Sequence, residues 1–168
     1  NPCRVNVMIL IVYYSWQGHT EKVAAALAKR VGAGLAEIRP VSEVGMFRKG
    51  MMSMLGMRAP IQPVQADLAD VDLLVVATPV WSRKIPPYVN EYLSRVTNGR
   101  GKPFSVIAEM GGSGGENAIA IVRKALEAKG MRFVSSATTI ESDVDAGRID
   151  RTIEEFARTI MKAPVPAV

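Results

Sequence analysis

The sequence has one cysteine, Cys3, and one histidine, His19. A single cysteine cannot form an internal disulfide, which favours a reducing, cytoplasmic location. One histidine and one distant cysteine leave no nucleophile–base pair for acyl transfer and no set of metal ligands. We therefore expect no catalytic side chain of these classes and no metal site. Cys3 is interpreted as a tolerated residue and His19 as an aid to anion binding or a surface residue.

Long hydrophobic runs and long basic runs are also missing. The longest apolar run, residues 7–14, is too short to span a bilayer and fits a strand better than a signal peptide. The net charge is +5, but no run of Lys and Arg exceeds two residues and aromatic and basic residues do not alternate. These absences predict no membrane insertion and no nucleic-acid binding. The positive net charge still allows an acidic protein partner.

Strand-like and helix-like segments alternate along the whole chain, which predicts a parallel sheet with helices on both faces. Ligands of such doubly wound sheets bind outside the carboxyl ends of the strands, where the strand order reverses. We expect a single domain over residues 1–168, with function in the loops after the first, third and fourth strands. The predicted strands are 7–14, 34–38, 73–77, 104–110 and 133–140, and the predicted helices are 20–31, 87–96, 116–129 and 151–161, with one more helix allowed in the irregular stretch 40–66.

The loop after the first strand, residues 15–20, has the chemistry of a phosphate site. Ser15 and Thr20 offer hydroxyls, Gly18 allows a tight turn, and a helix N-terminus follows with its amides and positive dipole end. The loop contains no lysine and no GxGxxG pattern, so a triphosphate or a dinucleotide is not indicated. A phosphomonoester fits best, and an ordinary helix cap is the alternative.

The loops after the third and fourth strands suit a flat aromatic ligand. Trp81 follows a buried strand in a loop stiffened by proline, where it can stack on a ring or pack on a neighbouring helix. Residues 111–115 include four glycines, which let the backbone approach a ligand closely or form a flexible connector.

Three motifs in this order resemble the flavodoxin-like family. Ser15-x-x-Gly18-x-Thr20 is similar to its phosphate-loop motif, and residues 78–81 and 111–115 are similar to the two loops that embrace the isoalloxazine ring. The resemblance implies a five-stranded sheet of order 2-1-3-4-5 and a bound FMN. By the resemblance, Ser15, Gln17, Gly18, His19 and Thr20 hold the phosphate, Pro79, Val80, Trp81 and Ser82 line one side of the ring, and Gly111, Gly112 and Ser113 line the other.

The sequence departs from the family pattern in three places. Trp16 and Gln17 make the phosphate loop bulkier, and the third loop has no aromatic residue for the second face of the ring. Arg83 and Lys84 stand where acidic residues are common, so we expect a basic rim that favours a reduced, negatively charged flavin.

The resemblance favours an electron carrier that passes electrons through FMN to a redox partner. The basic rim keeps an NAD(P)H-dependent FMN quinone reductase as an alternative, because Arg83 and Lys84 suit the phosphates of a nicotinamide cofactor. A non-redox module that binds a phosphorylated ligand or a partner is the second alternative.

The methionines between residues 46 and 57 form either a partner-binding face or inner packing, and inner packing is favoured.

Overall fold

The computed structural model describes residues 6–166, and Cys3 lies outside them. Five parallel strands form one sheet in the order β2-β1-β3-β4-β5, and helices cover both faces. The predicted doubly wound fold and its strand order are confirmed. The strands are β1 (Ile9–Tyr13), β2 (Gly34–Glu37), β3 (Leu73–Pro79), β4 (Pro103–Met110) and β5 (Arg132–Ile140). The helices are α1 (His19–Val31), α2 (Met46–Met54), α3 (Pro87–Arg95), α4 (Gly115–Glu127), α5 (Glu141–Asp145) and α6 (Asp150–Met161).

The two central strands explain why the apolar runs are continuous rather than alternating. Every residue of β1 and β3 is buried, because each strand has helices on both of its faces. Alternate residues belong to two separate cores: Leu10 and Val12 pack on one side of the sheet, and Ile9 and Ile11 pack on the other.

The strand register brings three loops to one edge of the sheet. Tyr13, at the end of β1, pairs with Ala77 of β3, and Ala77 pairs with Ile107 of β4. The carboxyl ends of these strands therefore lie side by side. The N-termini of α1 and α4 meet at the same edge, each preceded by a glycine with a φ of 90°, at Gly18 and at Gly114.

Two helices differ from the sequence prediction. The irregular stretch 40–66 contains α2, which was expected only as a possible helix. Helix α5 was missed because its five residues are too few to show a helical period. None of the helices that the structure describes is both long and apolar enough to cross a membrane.

Candidate functional site

A cavity of about 250 Å³, the main cavity, opens at the carboxyl edge of the sheet between the loops after β1, β3 and β4. It brings together most of the residues that the sequence singled out and adds three that it did not, namely Trp16, Glu109 and Glu141. Its lining is Ser15, Trp16, Gln17, His19, Thr20, Pro79, Val80, Trp81, Glu109, Gly111 and Glu141. Of the other predicted residues, Ser82 lines a neighbouring cavity, and Gly18, Gly112 and Ser113 line neither.

The turn before α1 is organised by its own side chain. The Gly18 amide donates a hydrogen bond of 3.1 Å to the Ser15 hydroxyl oxygen. No side-chain hydrogen bond caps the first turn of α1 within the part of the chain that the structure describes. The ordinary helix-cap interpretation therefore does not account for this loop. The uncapped amides and the positive end of the helix dipole remain available to an anion.

Thr20 and Glu109 form a buried polar pair beside the main cavity. The Thr20 side chain is 2% exposed, and its hydroxyl lies 3.4 Å from a carboxylate oxygen of Glu109, which is 7% exposed. Burial raises the pKa of the Glu109 carboxyl above its ordinary value, and the Glu141 carboxylate acts in the same direction; His19 and the Thr20 hydroxyl oppose the shift. Glu109 was missed by sequence reasoning, although a lone acidic residue at the end of a buried strand was a usable signal.

His19 has acidic neighbours that no sequence pattern indicated. Its Nε2 atom lies 2.9 Å from Asp145 Oδ1 and 3.8 Å from Glu141 Oε1. Both carboxylates come from α5, the helix that sequence reasoning missed. The expectation that His19 lacks potential co-ligands is therefore wrong, because the three residues place ligand atoms within 4.8 Å of one another. An exposed acidic group beside an imidazole is common in proteins without a metal, and we assign none here.

A second cavity of about 300 Å³, the side cavity, lies between the aromatic residues of the main cavity and α2. Lys49 of α2 is only 5% exposed, and its Nζ atom lies 5.0 Å from the centroid of the Trp16 ring and 5.8 Å from that of Trp81. Glu43 is its ion-pair partner. The remaining lining residues are Met46, Gly50, Val80 and Ser82. Sequence reasoning missed Lys49, because nothing in the stretch 40–66 indicated which side chains turn inward.

Trp81 lies between the two cavities and lines both. Its ring packs edge-on against Tyr14, Trp16 and Tyr88, with centroid distances of 5.5, 6.3 and 6.5 Å. Trp81 therefore does pack on a neighbouring helix, through Tyr88 of α3, which was the alternative to ligand stacking. This packing does not exclude ligand contact, because the packed side chain still borders open space on two sides.

The expected basic rim of Arg83 and Lys84 is not part of the wall of either cavity. Neither residue lines the main or the side cavity. The Lys84 ammonium donates a hydrogen bond of 2.6 Å to the Met54 carbonyl oxygen, whereas Arg83 is exposed. The ammonium group beside the aromatic rings is instead that of Lys49.

The glycines after β4 have two different roles. A Cβ atom at Gly112 would meet no heavy atom within 4 Å, and at Gly111 the nearest is a Glu141 oxygen at 3.9 Å. A Cβ at Gly114 would lie 2.9 Å from the Arg83 Cα atom. Gly111 therefore leaves open space at the main cavity and Gly112 has open space around it, whereas Gly114 permits close packing of the loops after β3 and β4.

A family model described as NADPH-dependent FMN reductase matches residues 6–145. The chain belongs to this family. The matched span covers all three loops of the site and every element from β1 to α5. The protein is thus an FMN-binding flavoprotein with a flavodoxin-like fold.

Solved structures agree with this assignment at the level of the fold. A flavoprotein in complex with FMN from Lactobacillus acidophilus NCFM has a TM-score of 0.68 at 21% identity, over 83% of this chain and 97% of that one. A Streptococcus pneumonia TIGR4 flavodoxin has a TM-score of 0.60 at 16% identity, over 92% and 98% of the two chains. The two-electron reduced flavodoxin of Megasphaera elsdenii has a TM-score of 0.61 at 17% identity, over 90% and 99%. No curated protein matches the sequence significantly.

The residues of the site fit the family's cofactor. The uncapped amides at the start of α1, with the hydroxyls of Ser15 and Thr20, suit a phosphomonoester. The rings of Trp16 and Trp81 offer an aromatic wall, and Gly111 of the loop after β4 lines the same cavity. Two carboxyl groups of the lining, those of Glu109 and Glu141, are unfavourable neighbours for an anion when they are ionised.

Proposed function

We propose that the loop of residues 15–20 holds the FMN phosphate and that the loops after β3 and β4 hold the ring. The binding set is Ser15, Gln17, Gly18, His19 and Thr20 for the phosphate, with Pro79, Val80, Trp81, Ser82, Gly111, Gly112 and Ser113 around the ring. The uncapped start of α1 at one end of the main cavity and the aromatic wall at the other support this orientation.

We infer further that the protein is an FMN-dependent oxidoreductase that takes reducing equivalents from NAD(P)H and delivers them to a small acceptor such as a quinone. Bound FMN supplies a ring that accepts hydride and passes on electrons. The side cavity adjoins the aromatic wall and offers an apolar space for a second ring system. We place this activity in the cytoplasm, in keeping with the single cysteine.

Lys49 carries the argument for reductase chemistry. Its ammonium lies against Trp16 and Trp81 and is shielded from water, while its partner Glu43 is largely exposed. Because Lys49 is only 5% exposed, its charge is screened by water less than a surface charge would be. A fixed positive charge beside the isoalloxazine ring favours the negative charge that the ring gains on reduction. It therefore favours full reduction of the flavin by a hydride donor.

Anaerobic mixing of the FMN-loaded protein with NADPH should bleach the oxidised flavin absorbance. Lys49→Gln should lower the two-electron midpoint potential by about 20 mV, since one partly screened charge contributes about 1 kcal/mol. The potential is measured by equilibration with a reference dye. Lys84→Gln is the matched control, because its ammonium is bonded to the Met54 carbonyl outside both cavities.

Two results would contradict this function. One is a protein that dithionite reduces fully but NADPH leaves oxidised over minutes. The other is an equal change of potential in Lys49→Gln and Lys84→Gln, which would mean that the charge at the aromatic wall has no special effect.

The carrier function remains the second candidate because of the outer face of α2. Met46, Phe47, Met51 and Met54 are 65%, 85%, 43% and 55% exposed, respectively. Inner packing, the interpretation favoured from sequence, is wrong for these methionines and for Met57, and it is correct only for Met52. An exposed apolar face beside the site suits docking of a redox protein. Reduction by a protein donor, with no reaction towards NADPH, would select this function.

Trp81→Ala should weaken FMN binding by about 1–3 kcal/mol, the range for stacking of a base on an aromatic side chain. Emission of the bound flavin should rise, because the indole ring that quenches it is gone. Fluorescence titration measures both the FMN affinity and the flavin emission. Thermal unfolding of the apoprotein shows how much stability is lost with the packing against Tyr14 and Tyr88, so that this effect is distinguished from lost stacking. Strong flavin emission from the unmodified holoprotein would contradict stacking.

A further inference from the structure

The main cavity has an unfavourable charge balance for a phosphate. Its lining includes two carboxylates, Glu109 and Glu141, and one imidazole, His19, but no lysine or arginine. A phosphate dianion at the start of α1 finds amides and hydroxyls there. It also finds a buried carboxyl that would repel it if ionised.

Thr20 connects this carboxyl to the proposed phosphate position. Its hydroxyl has one hydrogen to donate, and a Glu109 carboxylate oxygen at 3.4 Å is its acceptor, in a long hydrogen bond. While Glu109 is ionised, its carboxylate only accepts, so the Thr20 hydroxyl cannot donate to a phosphate at the same time. A neutral carboxyl reverses this bond, because it donates to the Thr20 oxygen and frees the threonine hydrogen.

The groups around Glu109 are few and can be named element by element. Thr20 and His19 face it from α1, and Glu141 and Asp145 face it from α5. On the neighbouring strands, its register partners are Pro79 of β3 and Thr139 of β5, and neither carries a charge. The Thr139 hydroxyl is buried and has no hydrogen-bond partner among the described residues. Burial is the main cause that favours a neutral Glu109 carboxyl; the carboxylates of Glu141 and Asp145 add to it, and His19 and the Thr20 hydroxyl oppose it.

We propose that Glu109 takes up one proton from solution when FMN binds, and that its neutral carboxyl then donates to Thr20 while Thr20 donates to the phosphate. The proton joins a Glu109 carboxylate oxygen, and no other bond is made or broken. The proposal rests on the placement of the phosphate at residues 15–20. It makes Glu109 a positioning residue that acts on FMN through Thr20.

The sign of the pH effect follows from linkage. Burial raises the pKa of the Glu109 carboxyl in the free protein, and under this proposal the negative charge of a bound phosphate raises that pKa further. Between these two values FMN binding consumes a proton, so affinity falls as pH rises, by up to about tenfold per pH unit. Below the lower value Glu109 is already neutral, and binding takes up no proton there.

The test is isothermal titration calorimetry of apoprotein with FMN, in pairs of buffers that differ in ionisation enthalpy, over a pH range that begins near the ordinary carboxyl value of about 4.3 and extends upward. The unmodified protein should take up a fraction of a proton that approaches one per FMN, beyond the share from the phosphate itself. Glu109→Gln keeps the shape and donates permanently to Thr20, so it should lose this uptake and bind FMN with a flatter pH profile. Glu141→Gln removes a partly exposed carboxylate of the same cavity and should retain the uptake, over a lower pH range, because Glu141 helps to raise the pKa of Glu109.

Two outcomes would overturn the proposal, and two further measurements separate it from a folding failure and from a failure of the phosphate site. Equal uptake in the unmodified protein and Glu109→Gln overturns the proposal, and so does uptake that disappears in His19→Gln but persists in Glu109→Gln. If Glu109→Gln does not fold, infrared difference spectra of the unmodified protein answer the question, since FMN binding must produce the carbonyl band of a new neutral carboxyl. FMN that binds no more tightly than riboflavin refutes the phosphate site itself, which is a separate failure.

Discussion

The combined substitutions Ser15→Ala and Thr20→Val should weaken FMN binding by about 3 kcal/mol, or about 100-fold. Each removes a hydroxyl that can donate to the phosphate, and a hydrogen bond to a charged group contributes about 1.5–3 kcal/mol. Ser15 keeps its hydrogen free for this purpose, because its oxygen accepts from the Gly18 amide. Riboflavin, which has no phosphate, should bind both proteins alike. Quenching of flavin fluorescence measures the two affinities.

A remote pair of the same substitutions is the control for this experiment. Ser94 and Thr159 are exposed hydroxyl residues bonded to helix carbonyl oxygens. Ser94→Ala with Thr159→Val should leave FMN affinity unchanged. If the Ser15→Ala, Thr20→Val protein also binds FMN with unchanged affinity, residues 15–20 do not hold the phosphate.

Gly114→Ala should lower the free energy of unfolding by about 2–4 kcal/mol. The residue has a φ of 90°, and its new Cβ would lie 2.9 Å from the Arg83 Cα atom and 3.1 Å from Val80 Cγ1. Left-handed strain and overpacking against backbone each cost about 1–3 kcal/mol. Because the clash separates the loops after β3 and β4, FMN affinity should fall as well. Urea unfolding of the apoprotein and FMN titration measure the two effects.

Gly112→Ala is the matched substitution in the same loop. Its Cβ would meet no heavy atom within 4 Å. We expect a change in unfolding free energy within about 0.5 kcal/mol, as for most surface positions. Similar stabilities of the Gly112→Ala and Gly114→Ala proteins would mean that the two loops do not depend on this close contact.

The fold was predictable because its signals are local and strong. The buried strands β1 and β3 carry continuous apolar runs, and each is followed by turn residues and a helical period. The loop at residues 15–20 was predictable for the same reason, since hydroxyls, a glycine and a helix start occur together. The edge position of these loops then follows from parallel strand topology rather than from any residue within them.

The rest of the site depends on contacts between distant segments. Lys49 reaches the aromatic wall only because α2 folds back over Trp16 and Trp81, in a stretch with no clear period. His19 meets Glu141 and Asp145 across more than one hundred residues of sequence, through a helix too short to detect. The position of Lys84 was missed in the same way, because the sequence does not show that its ammonium turns to the Met54 carbonyl oxygen.

The most direct test of the proposed site is a nuclear magnetic resonance titration of the labelled apoprotein with FMN and, separately, with riboflavin. We predict that FMN shifts the backbone amide signals of residues 15–20 together with those of residues 79–82 and 111–113. Riboflavin should shift the last two groups and leave the first nearly unchanged. If FMN leaves the amides of residues 15–20 where they are in the free protein, the phosphate is held elsewhere and the account of the site is wrong.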